Sequence, residues 1–103
     1  MAEPMRIRAT MAGDVADVKV LMNHPMETGL RKDPSGAVIP AHYITDVTAT
    51  HNGKPVLQCR LSQSVSQNPY LAFKFKGGAK GEKVQVSWVD NKGDKRTDEA
   101  TIS

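Results

Sequence analysis

Lys83-Val84-Gln85-Val86-Ser87-Trp88 alternates polar with apolar at every step. A period of two marks a strand with one buried face, because successive side chains leave opposite sides of an extended backbone. Valine and tryptophan also favour that conformation. The same reading extends outward along the chain. Leu71, Phe73 and Phe75 alternate with Ala72, Lys74 and Lys76, giving one apolar face and one basic face. Val18, Val20 and Met22 alternate with Asp17, Lys19 and Leu21, and Ile7 and Ala9 alternate with Arg6 and Arg8. No window carries a sustained apolar stripe at helical spacing.

Turn residues separate these runs at short intervals: Ala12-Gly13-Asp14, Asp33-Pro34-Ser35-Gly36, Asn52-Gly53, Gly77-Gly78 with Gly81, and Asn91-Lys92-Gly93. The pattern predicts an all-β fold, an immunoglobulin-like β-sandwich of about seven short antiparallel strands. There is no Cys…Trp…Cys spacing, so Trp88 and the Phe73–Phe75 pair are expected to supply the bulk of the core. The 103 residues make one domain, 1–103.

The central hairpin permits a sharper expectation. A two-residue loop at Asn52-Gly53 sets Leu57 and Cys59 opposite Thr48 and Asp46. A three-residue loop from Asn52 to Lys54 sets them opposite Ala49 and Val47. A slip of one residue turns every side chain to the other face, so apolar pairing selects the second register. That register suits a turn closed by a G1 bulge. Cys59 then faces the core between Leu57 and Leu61.

Hydrophobic residues at 39% and charged residues at 24% describe a folded globular chain rather than a disordered one. No apolar run approaches the roughly 18 residues of a membrane-spanning helix, and no membrane association is expected. The start, MAEPMRIRAT, lacks the apolar segment of a secretory signal, which by itself points to the cytoplasm. The net charge of +3 is dispersed, so no nucleic-acid partner is expected.

Few residues invite chemistry. Cys59, the single cysteine, sits mid-strand among apolar residues, where a thiol behaves as a small hydrophobe. The histidines, His24, His42 and His51, fall beside turns or strand ends, and no catalytic arrangement follows from their spacing. No catalytic, cofactor-binding or metal-ligating residue is therefore assigned. The most unusual stretch is Met22-Asn23-His24-Pro25-Met26-Glu27-Thr28-Gly29. Its thioethers and imidazole raise the alternative of a copper-binding β-sandwich using His24 and Met26. The competing reading is a Pro25-stiffened loop leaving the preceding strand, with Met22 turned into the core. Asn68-Pro69-Tyr70 reads as a turn into the next strand, with the Tyr70 ring on the face opposite Phe73 and free to anchor a contact.

The stretch His24-Pro25-Met26-Glu27-Thr28-Gly29-x-Arg31-Lys32-Asp33, followed by Gly36 and Ile39-Pro40, resembles the SoxZ family. The likeness continues through Asn52-Gly53, Ser66-x-Asn68-Pro69-Tyr70-Leu71-x-Phe73 and Trp88-x-Asp90-x-x-Gly93, in the family's order and over nearly the whole chain. The resemblance implies a non-catalytic scaffold that forms a heterodimer with SoxY. It further implies that SoxY carries covalent sulfur intermediates of thiosulfate oxidation on the Cys of a C-terminal Gly-Gly-Cys-Gly-Gly arm. SoxAX, SoxB and sulfane dehydrogenase are then transient partners. This chain ends at Thr101-Ile102-Ser103 without cysteine, as expected of the scaffold and not of the carrier. The family also implies a periplasmic location reached by export together with SoxY, which overrides the composition-based lean to the cytoplasm. Candidate partner contacts are His24, Pro25, Met26, Glu27 and Arg31 in one loop, and Asn68 and Tyr70 in the other.

Overall fold

The computed structural model describes residues 4–62, 65 and 67–103; Ser66, part of the resemblance above, lies outside them. Seven strands form: β1 (Arg6–Ala12), β2 (Val15–Leu21), β3 (Ile44–His51), β4 (Lys54–Arg60), β5 (Tyr70–Lys76), β6 (Lys83–Asp90) and β7 (Lys95–Thr101). They build two antiparallel sheets, ordered β1-β2-β5 and β4-β3-β6-β7. Among the described residues there is no helix. The all-β sandwich expected from the alternation is thus what the chain adopts. The fourth strand pairs with the third rather than with the fifth, which distinguishes it from a constant-type immunoglobulin domain.

The predicted inward faces meet between the sheets. Val18 stands opposite Ala9 and Phe73 in one sheet, and Trp88 stands opposite Val47 in the other. The largest fully buried side chains are Trp88, Met22, Ile44 and Ile102, with valines from β2, β3 and β6. Each buried side chain of this size stabilises the fold by about 1.5–3 kcal/mol. Phe73 and Phe75 only flank this core, half-buried, against the expectation that they would dominate it. The reason is position: β5 is an edge strand, so its inward residues have neighbours on one side only. The free edge of β1 is closed by the chain's end, where the Met11 N–H donates to the Ser103 carbonyl at 2.9 Å.

The hairpin of β3 and β4 keeps the expected pairing, Ala49 with Leu57 and Val47 with Cys59. Its loop is nevertheless the two-residue one, because Asn52 and Gly53 both take positive φ (50° and 79°), as a type I′ turn requires. The extra residue is absorbed one step into the ladder: Thr50 pairs with Pro55, Ala49 with Leu57, and Val56 bulges between them. The bulge returns Leu57 and Cys59 to the inner face. Tight-turn chemistry and apolar pairing are satisfied together, which a three-residue loop was not needed to do.

Residues 22–43 connect the two sheets without a ladder. Two isolated bridges, Glu27 with His42 and Lys32 with Val38, fold this crossover into an irregular arm. Its tip is the expected turn, where Asp33 Oδ1 accepts the N–H groups of Ser35 (2.9 Å) and Ala37 (3.0 Å). Leu30 and Val38 project from the arm 85% and 55% exposed. Gly29 sits where the arm's two sides approach: its φ is +84°, and a Cβ there would lie 3.2 Å from the Ala41 Cβ.

Candidate functional site

The base of the arm is tied to the sandwich by side chains rather than by a ladder. Met22 continues the inward face of β2 and is fully buried, and two residues on, His24 is buried as well. Pro25 then fixes its own φ and Met26 enters the left-handed region at φ 49°, where glycine is usual. Met26 is held there from both ends. Its N–H donates to His24 Nδ1 at 3.1 Å, and its sulfur accepts the Ile44 N–H at 3.3 Å inside the core.

Opposite His24, the inward series Val84, Val86, Trp88 ends in Asp90, whose side chain is fully buried. Four donors converge on this carboxylate. Oδ1 accepts the Lys92 N–H (3.0 Å) and the Asp94 N–H (2.9 Å), so the turn into β7 wraps around it. Oδ2 accepts His24 Nε2 (3.0 Å) and His42 Nε2 (2.6 Å). The His24 ring stands edge-on to both His42 and Trp88, with centroids 4.5 and 5.1 Å apart. Burial holds the His24 imidazole below its usual pKa, more strongly than the Asp90 hydrogen bond raises it. For Asp90, burial alone would raise the pKa. The hydrogen bonds from His24 and His42, and then from the backbone amides, outweigh it and hold the carboxyl below the usual range.

One donor atom each from His24, His42 and Asp90 lie within 4.8 Å of one another, a donor set that a divalent metal accepts. Proton placement decides against it. A backbone N–H can only donate, so the Met26 amide fixes His24 Nδ1 as acceptor and puts the ring's proton on Nε2, aimed at Asp90. A ligating histidine needs the reverse: a lone pair toward the metal and an N–H on the far nitrogen given to an acceptor. The cluster is a hydrogen-bond hub. The copper alternative meets the same obstacle, since both His24 nitrogens and the Met26 sulfur are engaged internally.

The seven candidate contact residues divide accordingly. His24 and Met26 are buried and present no side chain at the surface, because both are needed to anchor the arm. Pro25 is exposed beside them. Glu27 and Arg31 meet each other in a forked pair, with Arg31 Nη2 2.6 Å from Glu27 Oε2, and the Arg31 hydrogen bond lowers the Glu27 pKa. Asn68 is exposed, yet its hydrogen bonds turn back to the His24 backbone. Its N–H donates to the His24 carbonyl and its Oδ1 accepts the His24 N–H, so the two candidate loops are stitched together. Tyr70 is 62% exposed, as its place opposite Phe73 requires. Cys59 is half-buried, and burial, followed by the charge of Asp46, pushes its thiol pKa up.

Asp90, His42 and Asn91 were not nominated from the sequence. Asn91 accepts the Tyr43 N–H (2.8 Å) and donates to the Ala41 carbonyl (2.9 Å), which closes the arm's second side. The legible signal was the period-two series of β6, which places a carboxylate on the buried face and therefore demands partners.

Residues 5–101 match the family described as Sulphur oxidation protein SoxZ. The chain belongs to the SoxZ family. Among the motif residues through which it resembles SoxZ, His24 and Asp90 belong to the hub, and Met26, Asn68 and Trp88 contact His24 directly. No curated protein matches the chain in sequence. Among solved structures it is similar to a hypothetical protein from Pyrococcus horikoshii (TM-score 0.69, 18% identity, 99% of this chain and 89% of that one). It is also similar to a superoxide reductase in the oxidized state (0.62, 18%, 96% and 86%). A superoxide reductase (neelaredoxin) variant from Archaeoglobus fulgidus in the reduced form is similar too (0.57, 22%, 97% and 86%). At these identities the likeness is one of fold.

Proposed function

We propose that this SoxZ-family chain is the non-catalytic scaffold subunit of a sulfur carrier, forming a heterodimer with SoxY, whose arm Cys bears the intermediates of thiosulfate oxidation. SoxAX, SoxB and sulfane dehydrogenase act on that arm in turn, in the periplasm, which the chain reaches together with SoxY. The observation that carries the reading is the hub: its His24 and Asp90 side chains are buried, and their nitrogens and oxygens are taken up within the chain, as a subunit built for shape requires. The stable partner is proposed to pack on the arm, where Leu30 and Val38 offer apolar anchors beside Pro25 and the Glu27–Arg31 pair. A lasting heterodimer buries on the order of 1,600 Å² or more, and a protruding arm gains that area by being enclosed.

Reconstituted thiosulfate oxidation tests the proposal. Sulfur loading of the SoxY Cys, read by intact mass, is expected to depend on this chain and to weaken when Leu30→Asp or Val38→Asp disrupts the arm. Loading that proceeds equally without the chain would contradict the scaffold role. Glu27→Ala with Arg31→Ala should weaken heterodimer formation or turnover, and if both stay unchanged the pair has no part in the contact.

A further inference from the structure

The outer faces of the two sheets differ in how they treat charge. On the four-stranded sheet, Arg60 faces Asp46 at 3.6 Å and Lys83 faces Glu99 at 3.1 Å, with Thr48, Gln58, Ser87 and Thr97 between them. On the three-stranded sheet, the register stacks Arg6–Leu21–Tyr70, then Arg8–Lys19–Ala72, then Thr10–Asp17–Lys74, then Ala12–Val15–Lys76. Five exposed cations therefore share one face with a single carboxylate, Asp17, in a chain whose net charge is only +3. None of the five enters an ion pair among the described residues. At one end of the face, Leu21 and Tyr70 join Arg6, Ile7, Arg8 and Lys19 around a shallow depression of about 300 Å³.

We infer that this face docks, reversibly, an acidic surface of a partner protein that seats one apolar side chain in the depression between Leu21 and Tyr70. Permanent interfaces are depleted of lysine at their centres, and enclosing unpaired cations carries a large desolvation cost. A row of unpaired cations instead speeds encounter with an opposite charge and lets it leave again, while an exposed tyrosine supplies the local anchor. The inference rests on the scaffold reading above, under which the reversible partners are the enzymes that visit the carrier.

The test uses the assembled heterodimer with SoxY and purified SoxAX, SoxB and sulfane dehydrogenase, with association rates measured by surface plasmon resonance. For at least one enzyme the rate should fall about tenfold between low and physiological salt. The Lys19→Glu, Lys74→Glu double variant should lower the low-salt rate by about tenfold or more. Tyr70→Ala should speed dissociation, and Lys95→Glu on the other sheet should change neither. Rates that are insensitive to salt and to both variants would overturn the inference, as would an equal loss from Lys95→Glu. Loss of the heterodimer itself in the charge-reversed variant would also overturn it, since the face would then be the permanent interface. Failure of the unaltered chain to pair with SoxY would contradict the scaffold reading first, and the docking inference with it.

Discussion

At the arm end of the sandwich, His24 and His42 donate to Asp90; at the opposite end, His51 Nε2 meets Glu82 Oε1 at 2.9 Å and Asn52 donates to Glu82 Oε2 at 2.7 Å. Bond lengths at the two ends are alike. Burial is not: the Asp90 side chain is fully enclosed, whereas Glu82 is 32% exposed. The task of the backbone differs as well. Around Asn52-Gly53 the β3–β4 ladder and a type I′ turn already satisfy the main chain, so the polar contact is an addition. Residues 22–43 have two bridges in place of a ladder, so side chains must supply the hydrogen bonds that fix the crossover. The same chemistry thus holds the fold together at one end and only adorns it at the other.

The contrast sets an order of expected effects. Asp90→Ala strands the buried His24 N–H, the part-buried His42 N–H and two turn amides, and should cost about 3–5 kcal/mol, seen as a large fall in the urea midpoint. A loss below about 1 kcal/mol would mean that water replaces the carboxylate and that the hub is not structural. Met26→Ala removes a buried side chain from the core and should cost about 2–5 kcal/mol by the same measurement. Glycines at the two ends give a finer test. Gly53→Ala at φ +79° meets nothing within 4 Å, so only the left-handed penalty of about 1–2 kcal/mol applies. Gly29→Ala at φ +84° adds a tight 3.2 Å contact with the Ala41 Cβ and should destabilise more. Equal losses would show that the arm yields freely.

Acid should act through the arm end. The folded chain holds His24 below its usual pKa, so the unfolded chain binds the proton more readily, and stability falls as pH drops below about 6.5. Asp90 adds to the loss at lower pH. Its folded pKa is depressed, so its contribution is complete above the usual carboxylate value near 3.9 and disappears as pH falls through the lower folded one. Thermal melts that stay flat between about pH 7.5 and 5 would contradict the assignment of His24 as neutral and buried. The smallest effect belongs to Glu82→Gln. The hydrogen bonds from Asn52 and His51 lower the Glu82 pKa, yet the group is solvated, and its loss should leave the urea midpoint unchanged within error.

The strands were readable because alternation is a local signal: Lys83 to Trp88, Leu71 to Phe75 and Val18 to Met22 each declare their inner face without help from the rest of the chain. The turn at Asn52-Gly53 was readable too, and the correct pairing of Leu57 with Ala49 followed from apolar matching. What escaped was the bulge at Val56, because turn and register were treated as one choice when the ladder can absorb a residue between them. The hub escaped for a different reason. His24, His42 and Asp90 are far apart in sequence, and nothing local says that a proline-stiffened loop will lay its imidazole against the end of β6. His24 and Met26 looked like surface residues because they sit in a loop. They are buried because a long connection without a ladder must bring its own anchors.

On the proposed function, this chain is built to hold a partner. Native mass spectrometry of the chain co-expressed with SoxY tests it most directly. A one-to-one complex, with sulfur adducts confined to the SoxY arm Cys and Cys59 unmodified, is the predicted result. A chain that stays alone or pairs only with itself in the presence of SoxY would contradict the account, as would sulfur carried on Cys59.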